Sequence, residues 1–339
     1  MTLSPVFRSN ESIDFLREEG YWEKFEPSLD LQKNTRKNIA SLVMKHYPII
    51  SVDSKLNDLK IFEDDFFLIF FNSLLEGKVS NPLWYSMFNY CVRGKITAAD
   101  NLFDDEVKET LPFRNDIQGK LRSLLELTMY EQLFSYLGNY LGMNMNRYIE
   151  IKRKLDNKML EIGKLEGSEE EGVNEVLEVE EMVERVHRVR GGKLFELAMV
   201  APKILEPVSD YLDFVGEALN DIGTAFQIVD DITDFEFDLG RRSHNLVVSE
   251  IYHHGSQKER ETLDVFLKQR GSGPKDAVEN HFLYSTSRVV QRAYALTKKG
   301  FEKLQEIGFW YKPEHAEQFV NSILGERGDL RIKRVLEVL

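Results

Sequence analysis

The sequence predicts an all-α protein folded as a single helical domain. Apolar residues recur at three- and four-residue steps along most of the 339-residue chain. Pro, Gly or Ser separates the segments that carry this spacing. Alternating β-branched runs joined by tight hairpin turns are missing.

In order, helices are predicted over 11–46, 55–76, 82–106, 115–160, 178–200, 208–237, 256–270, 276–307 and 313–324. Residues 1–50 read as an N-terminal helical extension of one domain spanning 1–339. The second segment holds the longest purely apolar run, Phe66–Phe71, far short of the roughly 20 residues that span a bilayer. Asp64 and Asp65 just before it read as a helix-start feature. The Glu-crowded stretch from Glu166 to Glu181 reads as a solvated loop and helix start. Pro202 and Pro207 break the chain, and Gly271 to Pro274 does so again. Between them Leu212, Val215, Leu219, Ile222, Phe226 and Val229 form one clear stripe. Val247 and Val248 are too short a run to argue a strand. No linker is long enough to argue for a second domain.

Composition narrows the function. Hydrophobic residues make up 42% and charged residues 30%, an ordinary globular profile with room for a sizeable core. The formal net charge of −13 disfavours nucleic acid, whose backbone needs concentrated Lys and Arg. A diphosphate ligand stays compatible if a divalent cation bridges the two negative partners. Cys91 is the only cysteine, so an internal disulfide and a cysteine-based zinc site are ruled out, and a reducing compartment fits. The first residues lack the apolar core of a signal peptide, and a cytoplasmic protein is expected.

Two acidic clusters stand out. In RGKITAADNLFDDE, residues 93–106, Asp100 and Asp104 lie one helical turn apart, with Arg93 and Thr97 on the same face and Asn101 and Asp105 in the neighbouring row. At ~5 Å and an effective dielectric of ~20, each such carboxylate pair costs about 3 kcal/mol unless a cation offsets it. A solvated acidic helix end is the plain alternative. In FQIVDDITDFEFD, residues 226–238, Gln227, Asp230, Asp231 and Asp234 share one helical face amid Phe and Ile. Acids in so apolar a segment need partners or a metal. An EF-hand starting at Asp234 fails, because Leu239 stands where the turn Gly belongs and Asn245 where the bidentate Glu belongs. His253 and His254 have no HExxH-type surroundings and read as a surface pair after a helix.

FQIVDDITDFEFD resembles the second aspartate-rich motif, FQxxDDxxD, of the trans-polyprenyl synthetase family of class I isoprenoid synthases. DNLFD at Asp100–Asp104 resembles the first motif, DDxxD, with Asn101 in place of the second Asp. RGGKLFELA, from Arg190 to Ala198, is similar to the family's KTGxLFxxA segment. GRRSHNLVVSEI, from Gly240 to Ile251, is similar to its downstream basic segment. The match covers about residues 85–252.

The resemblance implies an antiparallel helical bundle holding the prenyl chain in its core, two or three magnesium ions, an allylic prenyl diphosphate substrate and a homodimer. It implies magnesium ligands at Asp100 and Asp104, with Asp105 as an extra one, and at Asp230, Asp231 and Asp234 on a facing wall. Substrate binding would fall to Gln227, Arg190, Asn101 and Arg241 or Arg242, with Lys193 as a nearby alternative. Ionisation of the allylic carbon–oxygen bond would follow once the diphosphate charge is neutralised. The resulting cation would need a dry, aromatic-lined pocket, and 22 Phe and 13 Tyr are available, most of them ordinary core.

The sequence also departs from the family. The GKxxRP segment that binds the second, homoallylic diphosphate has no match. GKVSNP, from Gly77 to Pro82, has Asn81 in place of the Arg and lies too near Asp100. The basic pair after the first motif is missing, with only Lys108 and Arg114 nearby. Lys95 stands at the fifth position before the first motif. The losses fall on the second-substrate site, which leans the expectation toward cyclisation or quenching of the cation. Chain elongation with isopentenyl diphosphate is the alternative, with Arg93 and Lys95 as replacement contacts. A non-catalytic regulatory subunit is a second alternative, against which the retained acids argue. An unrelated metal-dependent hydrolase is disfavoured for want of a His–carboxylate pattern.

Overall fold

The computed structural model of the chain describes residues 10–47, 57–103, 108, 118–140, 144–169, 172–268, 276–323, 331 and 334–335, and all regular structure among them is helical. In order come α1 (Asn10–Glu18), α2 (Tyr21–His46), α3 (Asp58–Leu75), α4 (Pro82–Phe103), α5 (Gly119–Tyr140), α6 (Met145–Gly167) and α7 (Val179–Met182). A π-helix over Val183–Gly192 leads into α8 (Lys193–Glu196), a 3-10 turn at Leu197–Met199 and α9 (Val200–Leu205). The chain continues through α10 (Ser209–Thr233), α11 (Phe235–Arg241), α12 (Leu246–His254), α13 (Gln257–Lys268), α14 (Ala277–His281) and α15 (Leu283–Glu306), then a 3-10 turn at Pro313–His315 and α16 (Ala316–Ile323). None of the described helices is long and apolar enough to cross a membrane.

The elements divide into two compact units. One is built mainly on Ile13–Arg153 and Val200–Ser209, the other mainly on Lys154–Met199 and Asp210–Leu339. In the first, α3 supplies a core of phenylalanines. Phe62 and Phe66 pack edge-on at 5.5 Å, and Phe25 of α2 meets both at 5.6 and 5.7 Å. A buried polar set ties α2, α3 and α4 together: Thr35 donates to Ser86 at 2.7 Å, and Asn72 donates to Ser86 at 2.9 Å. In the second unit, the stripe from Leu212 to Val229 is buried along its full length, so α10 is a central helix there.

The predicted segments largely match the helices in place, but several of them are broken within. Segment 11–46 splits at Gly20, which takes the left-handed φ of 69° that glycine tolerates best. Segment 276–307 splits at Phe282 (φ −127°, ψ 23°). Segment 208–237 splits at Asp234 (φ −100°, ψ 11°). The helix α12 had no prediction, because its apolar residues cluster instead of spacing out. Asp65 does mark a helix start of a kind: α3 kinks there, with φ −117° and ψ 18°. The Gly77–Pro82 stretch is a turn and a cap; Gly77 has φ 65°, and the Asn81 side chain accepts the Trp84 N–H at 3.2 Å.

Candidate functional site

The second acidic cluster sits at the C-terminal end of α10. Asp230 and Asp231 occupy its last turn, and Asp234 lies in the break before α11. The three acids therefore do not all stay on one continuous helical face, as the spacing predicts. Gln227 donates to Asp230 Oδ2 at 3.3 Å, and its own Oε1 is buried without a hydrogen-bond partner. Asp231 is buried, and its Oδ2 accepts the Leu246 N–H at 2.5 Å. His187 Nε2 lies 2.8 Å from the same oxygen. A carboxylate only accepts, so Nε2 carries the proton of that bond.

Two groups that the sequence reading passed over complete this end of the helix. Asn245 caps α12 by accepting the N–H groups of Val247 and Val248 at 3.0 and 3.3 Å. Its amide donates to the Asp231 carbonyl at 2.7 Å and to Asp238 Oδ2 at 2.9 Å. Burial pushes the Asp238 carboxyl well above its ordinary range, and the charges of Asp231, Asp234 and Asp230 push the same way; the Asn245 bond opposes them. The charges of Asp230, Asp231 and Asp234 thus converge on Asp238.

The π-helix brings His187 to Asp231. It packs so closely on α10 that a Cβ on Gly191 would stand 2.0 Å from the Gly223 carbonyl oxygen. Glycine is required on that crossing because backbone meets backbone. Arg190, on the same π-helix, is paired with Glu169 at 2.6 Å. Burial opposes the guanidinium charge, but Glu169 outweighs it and holds the Arg190 pKa above its usual value, with Asp231 adding to the effect. Glu169 is buried and also accepts the His244 N–H at 3.1 Å, so the Glu-rich stretch is not solvated throughout. His253 closes on that stretch too, from the last turn of α12: its Nε2 is 3.0 Å from the Val176 carbonyl and its Nδ1 3.0 Å from Glu178.

The other predicted basic residues lie elsewhere in this unit. Lys193 pairs with Glu161. Arg241 and Arg242 are exposed at the end of α11. Arg241 stacks over the Phe237 ring at 5.1 Å. Arg242 takes a left-handed φ of 58°, and its carbonyl accepts the Val173 N–H at 2.8 Å.

The first cluster belongs to the other unit. Asp100 is half-buried near the end of α4. Asn101 is buried, accepts the Lys108 N–H at 2.9 Å and donates to the Lys108 carbonyl at 3.0 Å. An ionised Asp could only accept, so this two-way bond explains an amide at that position. Asp104 and Asp105, and Arg114 beyond them, lie outside the described residues. Arg93 donates to Asp65 at 2.5 Å, and Lys95 pairs with Glu131 at 2.7 Å.

Among the described residues no group of three or more His, Cys, Asp or Glu closes into a metal cage. Magnesium does not need one, since it is held by one or two carboxylates together with substrate phosphates and water. The carboxylate oxygens gathered at the end of α10 around buried Asp238 fit that mode.

The sequence matches no family model, and no curated protein matches it. Its structure is similar to several solved ones. Geranylgeranyl pyrophosphate synthetase from Pyrococcus horikoshii Ot3 aligns with a TM-score of 0.60 at 16% identity, over 91% of this chain and 99% of that one. A decaprenyl diphosphate synthase from Rhodobacter capsulatus aligns with a TM-score of 0.53 at 15% identity, over 97% and 99%. Geranylgeranyl pyrophosphate synthase from Corynebacterium glutamicum, complexed with calcium and isoprenyl diphosphate, aligns with a TM-score of 0.54 at 14% identity, over 98% and 99%. The fold is therefore that of the all-α isoprenoid synthases.

Proposed function

We propose that the protein is a class I isoprenoid synthase that ionises an allylic prenyl diphosphate. The observation that carries this reading is the end of α10, where Asp230 and Asp231 in its last turn and Asp234 in the break after it gather around buried Asp238, whose carboxyl burial and those three charges push up. Magnesium, when bound, would neutralise the diphosphate and make it a leaving group. Asp230, Asp231 and Asp234 offer the oxygen ligands. Asp100, Asp104 and Asp105 are proposed as further ligands on the resemblance alone. Arg241 and Arg242, exposed at the end of α11, would supply positive charge to the phosphate oxygens, and Arg190, or Lys193 as the alternative, would do so on leaving Glu169 or Glu161. The buried, unpartnered Gln227 Oε1 offers a dipole for the carbon that becomes cationic.

Two fates of the cation remain in play. Cyclisation or quenching is favoured by Arg93 and Lys95, because both candidates for a second diphosphate contact are engaged with acids. Chain elongation with isopentenyl diphosphate is supported by the similar solved structures, which are named as polyprenyl or geranylgeranyl synthases. Diphosphate release is measured with geranyl, farnesyl and geranylgeranyl diphosphate, each alone and then with isopentenyl diphosphate, and products are identified by mass spectrometry. Magnesium-dependent release from one allylic diphosphate alone is expected. A strict requirement for isopentenyl diphosphate would make the protein an elongating synthase. No release under either condition would leave a non-catalytic subunit. A cytoplasmic homodimer is proposed with this activity, and sedimentation of the purified protein checks the dimer.

A further inference from the structure

One fully buried arginine has no part in the site as described. Arg331 is 1% exposed. Its Nη1 donates to the Ile232 carbonyl at 2.9 Å, and its Nη2 lies 3.0 Å from each carboxylate oxygen of Glu236. Its Nε stands 2.8 Å from Glu279 Oε1, as an ion pair whose angle falls outside a hydrogen bond. Glu236 in turn accepts the Ala277 N–H at 3.0 Å.

The two main anchors straddle the break in the second motif. Ile232 belongs to the last turn of α10, where the backbone leaves the helix. Glu236 belongs to the first turn of α11. Asp234 lies midway, with non-helical backbone angles and no side-chain cap bond of its own. A cation at a helix C-terminus satisfies orphan carbonyls and complements the helix dipole. The rigid guanidinium fork also grips the carboxylate across the break, which a lysine ammonium cannot do with one geometry.

We propose that Arg331 is a positioning residue for the second aspartate motif: by bridging Ile232 and Glu236 it fixes the break that sets Asp234 relative to Asp230 and Asp231. The proposal rests on the reading that these acids take magnesium and diphosphate. It makes the ligand geometry depend on a side chain nearly a hundred residues further along the chain, which touches no ligand itself.

Arg288 provides a matched control in the same unit. Its Nε donates to buried Glu250 at 2.5 Å, and its Nη2 donates to the His254 carbonyl at the end of α12 at 3.0 Å. Calorimetric titration with inorganic diphosphate in magnesium buffer compares wild type, R331Q, R331K and R288Q. Both Arg331 variants are expected to bind roughly tenfold more weakly than R288Q, as loss of a residue supporting a metal ligand does. In the metal-free proteins, amide hydrogen exchange over 233–237 is expected to quicken in R331Q and R331K but not in R288Q. If R331Q does not fold, R331K carries both comparisons. Binding and exchange in the Arg331 variants equal to those of R288Q would overturn the proposal. Diphosphate binding unchanged in Asp230→Asn would overturn the diphosphate reading, and the Arg331 proposal with it, through a separate variant.

Discussion

Asp65 in the first unit and Asp231 with Asp238 in the second are all buried carboxylates, but their surroundings differ. Asp65 receives Gln32 at 2.7 Å, Arg36 at 2.5 and 2.7 Å and Arg93 at 2.5 Å. Burial alone would raise its pKa, yet Arg36 and Arg93 outweigh burial and hold the carboxyl well below the usual range. Asp231 has one imidazole and one backbone N–H, and Asp238 has an asparagine amide and a raised pKa. An acid matched by protein cations is framework, because its charge is already answered. An acid crowded by other acids in a buried place suits an external cation.

Substitution can break or sharpen that contrast. The largest effect is expected from Asp230→Ala, which should lower magnesium-dependent diphosphate release by roughly 100-fold or more with the helix intact by circular dichroism. An unchanged rate would remove Asp230 from the assigned role. Next, Asp65→Asn should cost about 3–5 kcal/mol in denaturant unfolding, since Arg36 and Arg93 would be left without their acid. Diphosphate release per folded molecule should persist. The depressed pKa of Asp65 also fixes a pH dependence. The unfolded carboxyl binds a proton near pH ~4 and the folded one only lower, so its contribution is complete above ~4 and is lost as pH falls toward the folded value. Unfolding measured from pH 6 downward should show this loss in wild type and not in Asp65→Asn.

Smaller effects follow. Gly191→Ala should cost about 1–3 kcal/mol by forcing the π-helix off α10, and Mg-diphosphate binding should weaken along with it as His187 moves from Asp231. Asp238→Asn should modestly raise the melting temperature at neutral pH. A carboxyl whose folded pKa is raised loses stability as pH climbs above its unfolded value near ~4, so the gain should vanish below that pH. A destabilised Asp238→Asn would mean that its charge is already answered within the protein.

What the sequence made legible were features that repeat. The α10 stripe from Leu212 to Val229 is periodic, and so are the acids at its end; both were visible as pattern. Single positions whose partners are distant in sequence were not. His187 is one histidine among Arg, Glu and Val, and its partner lies 44 residues away. Glu169 is one of many glutamates, and nothing local marks it as the one that meets Arg190. Asn101 was visible as a departure from an aspartate motif, but its two-way bond to Lys108 was not. The break at Asp234 was hidden because its cause is Arg331, almost a hundred residues later. The small helix α12 was missed because Leu246, Val247 and Val248 form a cluster and not a period.

The π-helix has a consequence for insertions and deletions. Such a helix is an α-helix holding surplus chain in a widened turn. Each residue of an α-helix advances the side-chain direction by about 100°. Deleting one residue within Val183–Gly192 would therefore trim slack: a wide turn would tighten toward α-helical pitch, and α8 beyond it would keep its phase. A deletion inside α10, where no turn holds surplus chain, would instead turn the rest of that helix by about that angle and carry Asp231 away from His187.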